Sequence, residues 1–158
     1  MAGLFIPIKK REREMKRIDQ LLKLSREHHG SLVMAKKISN IAENGTDEEL
    51  LAAIETIKEY NSSELEEHFQ HEERTIFAPI FSDYKEHIGI ATILLKEHGH
   101  IRKMIPQLKL ETAKEDLAVF GKMLKEHTRM EERELFPVIE ELFTTEQLDA
   151  ILNFVPLD

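Results

Sequence analysis

One histidine sits near the middle of each of four amphipathic stretches, and in two of them a glutamate follows four residues later: His28, His68-x-x-x-Glu72, His98 and His127-x-x-x-Glu131. On a helix, positions i and i+4 lie about 40° apart and one turn along, so each His and Glu pair aims at one volume. Apolar residues flank these positions at alternating steps of three and four, the spacing of a buried helix face. The inward stripe reads Ile18, Leu21, Ser25, His28, Leu32, Ala35, Ser39 and Ala42 in the first helix. In the second it reads Leu50, Ile54, Ile57, Asn61, Leu65, His68, Glu72 and Ile76. The third carries His87, Ala91, Leu94, His98, Ile101, Ile105 and Leu108. The fourth carries Ala113, Leu117, Phe120, Leu124, His127, Glu131, Leu135, Val138 and Leu142.

The pattern is also doubled. His68-Phe-Gln-His-Glu72-Glu-Arg74-Thr-Ile-Phe77 matches His127-Thr-Arg-Met-Glu131-Glu-Arg133-Glu-Leu-Phe136, and Leu24-Ser-Arg-Glu27-His28 matches Leu94-Leu-Lys-Glu97-His98. The chain reads as two copies of one unit, a helix with a histidine followed by a helix with His-x-x-x-Glu.

Capping boxes place the helix starts, since a Ser, Thr or Asp and a Glu or Gln three residues on can satisfy each other's backbone N–H groups. Thr46 with Glu49, Asp83 with Glu86, Thr112 with Glu115 and Thr144 with Gln147 fit this pattern. Helices are predicted at about 11–43, 47–81, 84–109 and 113–141, with a short fifth at about 145–154, and Asn44-Gly45 is a stop for the first. Four such helices with short connections form an all-α, antiparallel up-down-up-down four-helix bundle. The fifth helix, with Leu148, Ile151, Leu152, Phe154 and Val155, is expected to cover the end of the bundle, with a dimer face as the alternative.

A length of 158 residues fits one domain spanning the chain, with its core in helices 12–142. The absence of cysteine excludes disulfides, thiolate metal sites and a cysteine nucleophile, so a metal here takes nitrogen and oxygen ligands. A formal charge of −8 argues against binding nucleic acid. The basic stretch Lys9 to Arg17 is diluted by Glu12 and Glu14 and reads as a solvated helix start. The opening MAGLFIPI lacks the order of a secretory signal, and no run reaches the roughly 20 apolar residues of a membrane span, so a soluble, cytoplasmic protein is expected.

Two His-x-x-x-Glu pairs on facing helices, with one histidine from each remaining helix, bring four imidazoles and two carboxylates together. Two buried carboxylates are costly without a neutralising cation. A pair of divalent metals supplies one, with Glu72 and Glu131 bridging and His28, His68, His98 and His127 at the two ends. A single buried histidine is more often a hydrogen-bonded core residue, but four of them aligned by a repeat and joined by two inward glutamates are not explained that way.

The order of these residues resembles the hemerythrin-like, or HHE cation-binding, family over about residues 12–142. The resemblance implies a non-haem di-iron centre, two iron ions bridged by the glutamates and an oxo or hydroxo group, ligated by His28, His68, Glu72, His98, His127 and Glu131. It further implies a small diatomic ligand, oxygen or nitric oxide, and roles in oxygen binding, iron or redox sensing, nitric-oxide response and repair of iron centres. An oxidoreductase acting on oxygen or peroxide with a redox partner, an iron storage or donation protein, and a bundle with structural zinc share the same donor set, which suits iron, zinc and manganese alike. Hemerythrin itself has a fifth histidine four residues after the ligand of its third helix. That position here is Arg102, which leaves one coordination position to water or a small ligand and argues against stable oxygen carriage.

The remaining histidines read differently. His29 is turned about 100° from His28, and His100 about 200° from His98, toward solvent. His71 borders the core beside the site and is the first residue expected to close the open position. His87 lies about 16 Å from His98 along its helix, too far for a shared site. Glu73 and Glu132, about 140° from the histidines of their own helices, read as outer-face or helix-pairing residues.

Overall fold

The computed structural model describes residues 17–157. Four long helices and one short one follow each other without a strand among the described residues: α1 (Leu22–Asn44), α2 (47–83), α3 (Ile88–Met104), α4 (113–142) and α5 (Thr145–Leu152). Short connections make successive long helices antiparallel, giving the expected bundle with its C-terminal helix. Of all the helix pairs, α1 and α4 pack most extensively. Gly121 permits that approach, because a Cβ there would lie 3.0 Å from the Ala35 carbonyl oxygen and against the Ser39 hydroxyl.

Two of the four capping boxes form, at Thr46 with Glu49 and at Thr144 with Gln147. The other two do not. A 3-10 turn, Leu110–Thr112, precedes α4, and Thr112 instead donates its hydroxyl to Asp116 at 2.7 Å. Asp83 still belongs to α2, and its carboxylate accepts from Gln147 Nε2 at 3.0 Å, tying α2 to α5.

The first helix starts later than its periodicity suggests. Residues 11–16 and the opening MAGLFIPI lie outside the described residues. Ile18 is extended, its N–H donating to Glu140 Oε2 at 3.1 Å, and helical structure begins with the turn Asp19–Leu21. Arg17, expected in a solvated helix start, is instead paired with Glu140 at 2.7 Å and with Glu132. α3 is likewise shorter than expected, with 3-10 turns at Lys85–His87 and Ile105–Gln107 and an extended Leu108.

Three wide π-type segments interrupt the long helices, at Asn61–Leu65, Glu73–Phe77 and Glu131–Leu135. Each adds a residue to a turn and so advances the buried stripe by one position. This is why α4 buries Leu135, Phe136 and Ile139 where a constant period puts Val138 and Leu142; Leu142 is exposed. In α1, which has no wide segment, the buried face runs through Leu24, Ser31 and Ile38.

The core divides into two apolar clusters. One, around Ile38, Ile57, Phe69 and Phe120, lies toward the α1–α2 connection. The other, around Leu24, Ile80, Leu94 and Phe136, includes Ile151 of α5. Each fully buried side chain of this size contributes about 1.5–3 kcal/mol. Between the clusters lie the buried histidines and glutamates of the four long helices.

Candidate metal centre

Each long helix delivers its histidine inward: His28 from α1, His68 from α2, His98 from α3 and His127 from α4, all at most 4% exposed. Glu72 and Glu131 follow one turn after His68 and His127 and have no exposed surface. The six side chains form two overlapping groups of candidate ligand atoms, His28, His68, Glu72 and Glu131, and Glu72, His98, His127 and Glu131, with the atoms of each group within 4.8 Å of one another. Glu72 and Glu131 belong to both groups, as a bridging role requires.

The inner nitrogen of each ring is Nε2. His28 Nε2 lies 2.9 Å from Glu131 Oε1 and 3.2 Å from Glu72 Oε2, and His98 Nε2 lies 3.1 Å from Glu72 Oε1. His68 Nε2 and His127 Nε2 each lie 3.3 Å from the glutamate of their own helix. Proximity does not supply hydrogen bonds for every oxygen. Glu72 Oε1 and both oxygens of Glu131 are buried without a hydrogen-bond partner, a condition that costs free energy unless something else satisfies them. Three orphaned carboxylate oxygens among four imidazole nitrogens fit divalent cations of borderline hardness.

The outer nitrogen, Nδ1, is held by a carboxylate in every case. His28 Nδ1–H donates to Glu132 at 2.6 Å, His68 to Glu27 at 2.8 Å, His98 to Glu73 at 2.7 Å and His127 to Glu97 at 2.8 Å. Such bonds set the tautomer that leaves Nε2 free to ligate, and they raise its basicity. The partners cross between helices by one rule. The residue before each histidine of α1 and α3 serves the histidine of the next helix, and the residue after Glu72 or Glu131 serves His98 or His28. Helix pairing by Glu73 and Glu132 thus agrees with the sequence reading, but their bonds to ring nitrogens, and any role for Glu27 and Glu97, were missed. The signal was present, since all four positions recur in the repeat.

Electrostatics follow from this geometry. Burial alone would lower the histidine pKa values, but the surrounding carboxylates outweigh it: His68 is pushed up to about 9, His127 to about 10, and His28 and His98 also rise. Burial would raise Glu72, yet the charge of His68 and the nearby rings of His28 and His98 hold it well below the usual carboxylate range. Burial and the charge of Glu72 push Glu131 upward, and His127 with His28 brings it below its ordinary value. Without a metal, protons on the imidazoles neutralise the two carboxylates.

Aromatic rings close the site on both sides. Phe136 stacks on His28 with centroids 5.0 Å apart, and Phe77, its counterpart in the repeat, lies 5.3 Å from His98. Phe69 breaks the symmetry: it stacks on His98 at 3.8 Å, whereas the matching residue in α4 is Thr128.

One expectation needs correction. His71 is buried but joins neither candidate group; its Nε2–H donates to the Ile151 carbonyl at 2.8 Å and its ring stacks on Phe154 at 4.4 Å, so it docks the C-terminal segment and does not close an open position. Arg102 contributes no donor and turns outward to Glu66 and Glu73, both at closest 2.7–2.9 Å, with its guanidinium over Phe69. His29 and His100 are exposed as expected, and His87 joins neither candidate group.

No helix among the described residues is long and apolar enough to cross a membrane. No curated protein and no solved structure matches the chain. The model of the hemerythrin HHE cation binding domain matches residues 14–139, which include the first three long helices, nearly all of the fourth and both His/Glu groups, and the chain belongs to this cation-binding family.

Proposed function

We propose that this is a non-haem di-iron protein that binds or senses oxygen, nitric oxide or redox state, with its metals held by His28, His68, Glu72, His98, His127 and Glu131. The observation that carries this reading is the set of unpartnered oxygens on Glu72 and Glu131, fully buried and shared by two overlapping four-residue groups. Iron bound there supplies open coordination positions and one-electron redox chemistry. The residues of the chain do the rest. Glu27, Glu73, Glu97 and Glu132 orient the rings, and Phe69, Phe77 and Phe136 cover His28 and His98 against bulk water.

Each group offers two imidazoles and two carboxylates, and Arg102 faces away from both. Four protein donors leave room for a small exogenous ligand on an ion that accepts more than four, which favours sensing or redox chemistry over stable oxygen carriage.

Protein produced with iron available should contain close to two metal ions per chain, one for each group. Its anaerobically reduced form should change its optical spectrum on mixing with oxygen and not recover under vacuum. A single tightly bound ion, or a colourless zinc protein silent to oxygen, would overturn the reading.

A further inference from the structure

Between α1 and α2 the surface opens into a pocket of about 250 Å³, walled by Gly30, Met34, Tyr60 and His68, with Arg26, Glu27 and Glu64 also lining it. Of these residues only His68 belongs to the His/Glu groups. Its ring is the partition between pocket and site, with Nδ1 held by Glu27 and Nε2 toward Glu72. The Tyr60 hydroxyl is bonded to Ser31 Oγ at 2.6 Å, which satisfies its polar end and leaves the ring available as an apolar wall.

The repeat does not reproduce these walls. Gly30, where a Cβ would meet nothing within 4 Å, aligns with His100, so a side chain stands where the first half has open space. Tyr60 aligns with Val119, which is exposed, and Glu64 with Met123. On the far side His98 has no exposed surface and lies under Phe69.

Size and charge select the occupant. The volume holds several waters at about 30 Å³ each and falls below the roughly 300–1,000 Å³ of sites for larger organic ligands. Two carboxylates against one guanidinium disfavour an anion, and Gly30, Met34 and the Tyr60 ring suit an uncharged molecule.

We propose that this pocket is the entrance by which small uncharged molecules of a few atoms approach the His28/His68 end of the site. Its significance rests on the metal-centre reading above, but its test does not. Dissolved oxygen serves as a paramagnetic probe of accessible space in NMR spectra of the full chain, kept free of metal. The Met34 methyl and the His68 ring protons should relax several-fold faster under oxygen pressure than the His127 ring protons. Gly30→Trp should erase that enhancement, and Gly30→Leu, a smaller filler, should reduce it. Met104, which lines a separate pocket with Gln107 and Asp116, should keep its own enhancement in both variants. Equal enhancement at His68 and His127, or enhancement unchanged by both substitutions, would overturn the proposal. Failure of the chain to bind metal would overturn the metal-centre reading and leave this result standing.

Discussion

The inner pair of glutamates, Glu72 and Glu131, and the outer four, Glu27, Glu73, Glu97 and Glu132, each adjoin a residue of the site in sequence or belong to it, yet differ in environment. The inner side chains have no exposed surface and three of their four oxygens lack a hydrogen-bond partner. The outer side chains are 24–32% exposed and each accepts from a ring nitrogen. Permanent cations support part of this outer set: Arg102 on Glu73, Arg17 on Glu132 and Lys23 on Glu27. Solvent and fixed charge compensate the outer carboxylates in every state of the protein. The inner ones depend on whatever cation occupies the centre, proton or metal, which makes that layer responsive while the outer ring stays put.

The largest expected effect follows from removing an inner glutamate. Because each serves both groups, Glu72→Ala or Glu131→Ala should abolish the metal pair, not merely one half of it. Metal content measured after reconstitution would decide; a variant still binding the full pair would show that the two groups are independent.

Removing an outer glutamate should misorient one ring and spare the rest. Glu73→Ala and Glu132→Ala should weaken metal binding about 10–100-fold, with Glu27→Ala and Glu97→Ala at the low end because their carboxylates face more solvent. Competition titrations against a chelator would measure this. Equal losses in all four variants would erase the distinction drawn from their solvent exposure.

The smallest effect concerns protons. Histidines whose pKa is raised by folding stabilise the metal-free protein fully below their ordinary value near 6.5, and that contribution fades as pH rises through about 9 for His68 and about 10 for His127. The lowered carboxylates contribute above their ordinary value near 4.5 and lose that contribution as pH falls through their lower folded values. Metal-free protein should therefore melt highest between about pH 4.5 and 6.5. Metal must displace the imidazole protons, so the gap in Tm between zinc-loaded and metal-free protein should widen from pH 6 toward pH 9. Calorimetry of both forms tests this, and a gap that narrows over that range would contradict the proton-for-metal exchange.

Helix content, chain order and the meeting of six side chains in one buried layer were legible from the sequence by itself. Residue spacing on a helix is a local property, and the stripe through His68, Glu72, His127 and Glu131 needs only 3.6 residues per turn to face inward. Other features depended on the tertiary structure. The wide segment at Glu131–Leu135 moved the later stripe of α4 from Val138 to Phe136 and Ile139, a change of register that periodicity cannot anticipate. Which glutamate holds which Nδ1, why Phe69 covers His98, and why His71 docks α5 instead of joining the centre are questions of distance between helices. Side chains adjacent in space come from different helices, and only their packing sets which donor reaches which acceptor.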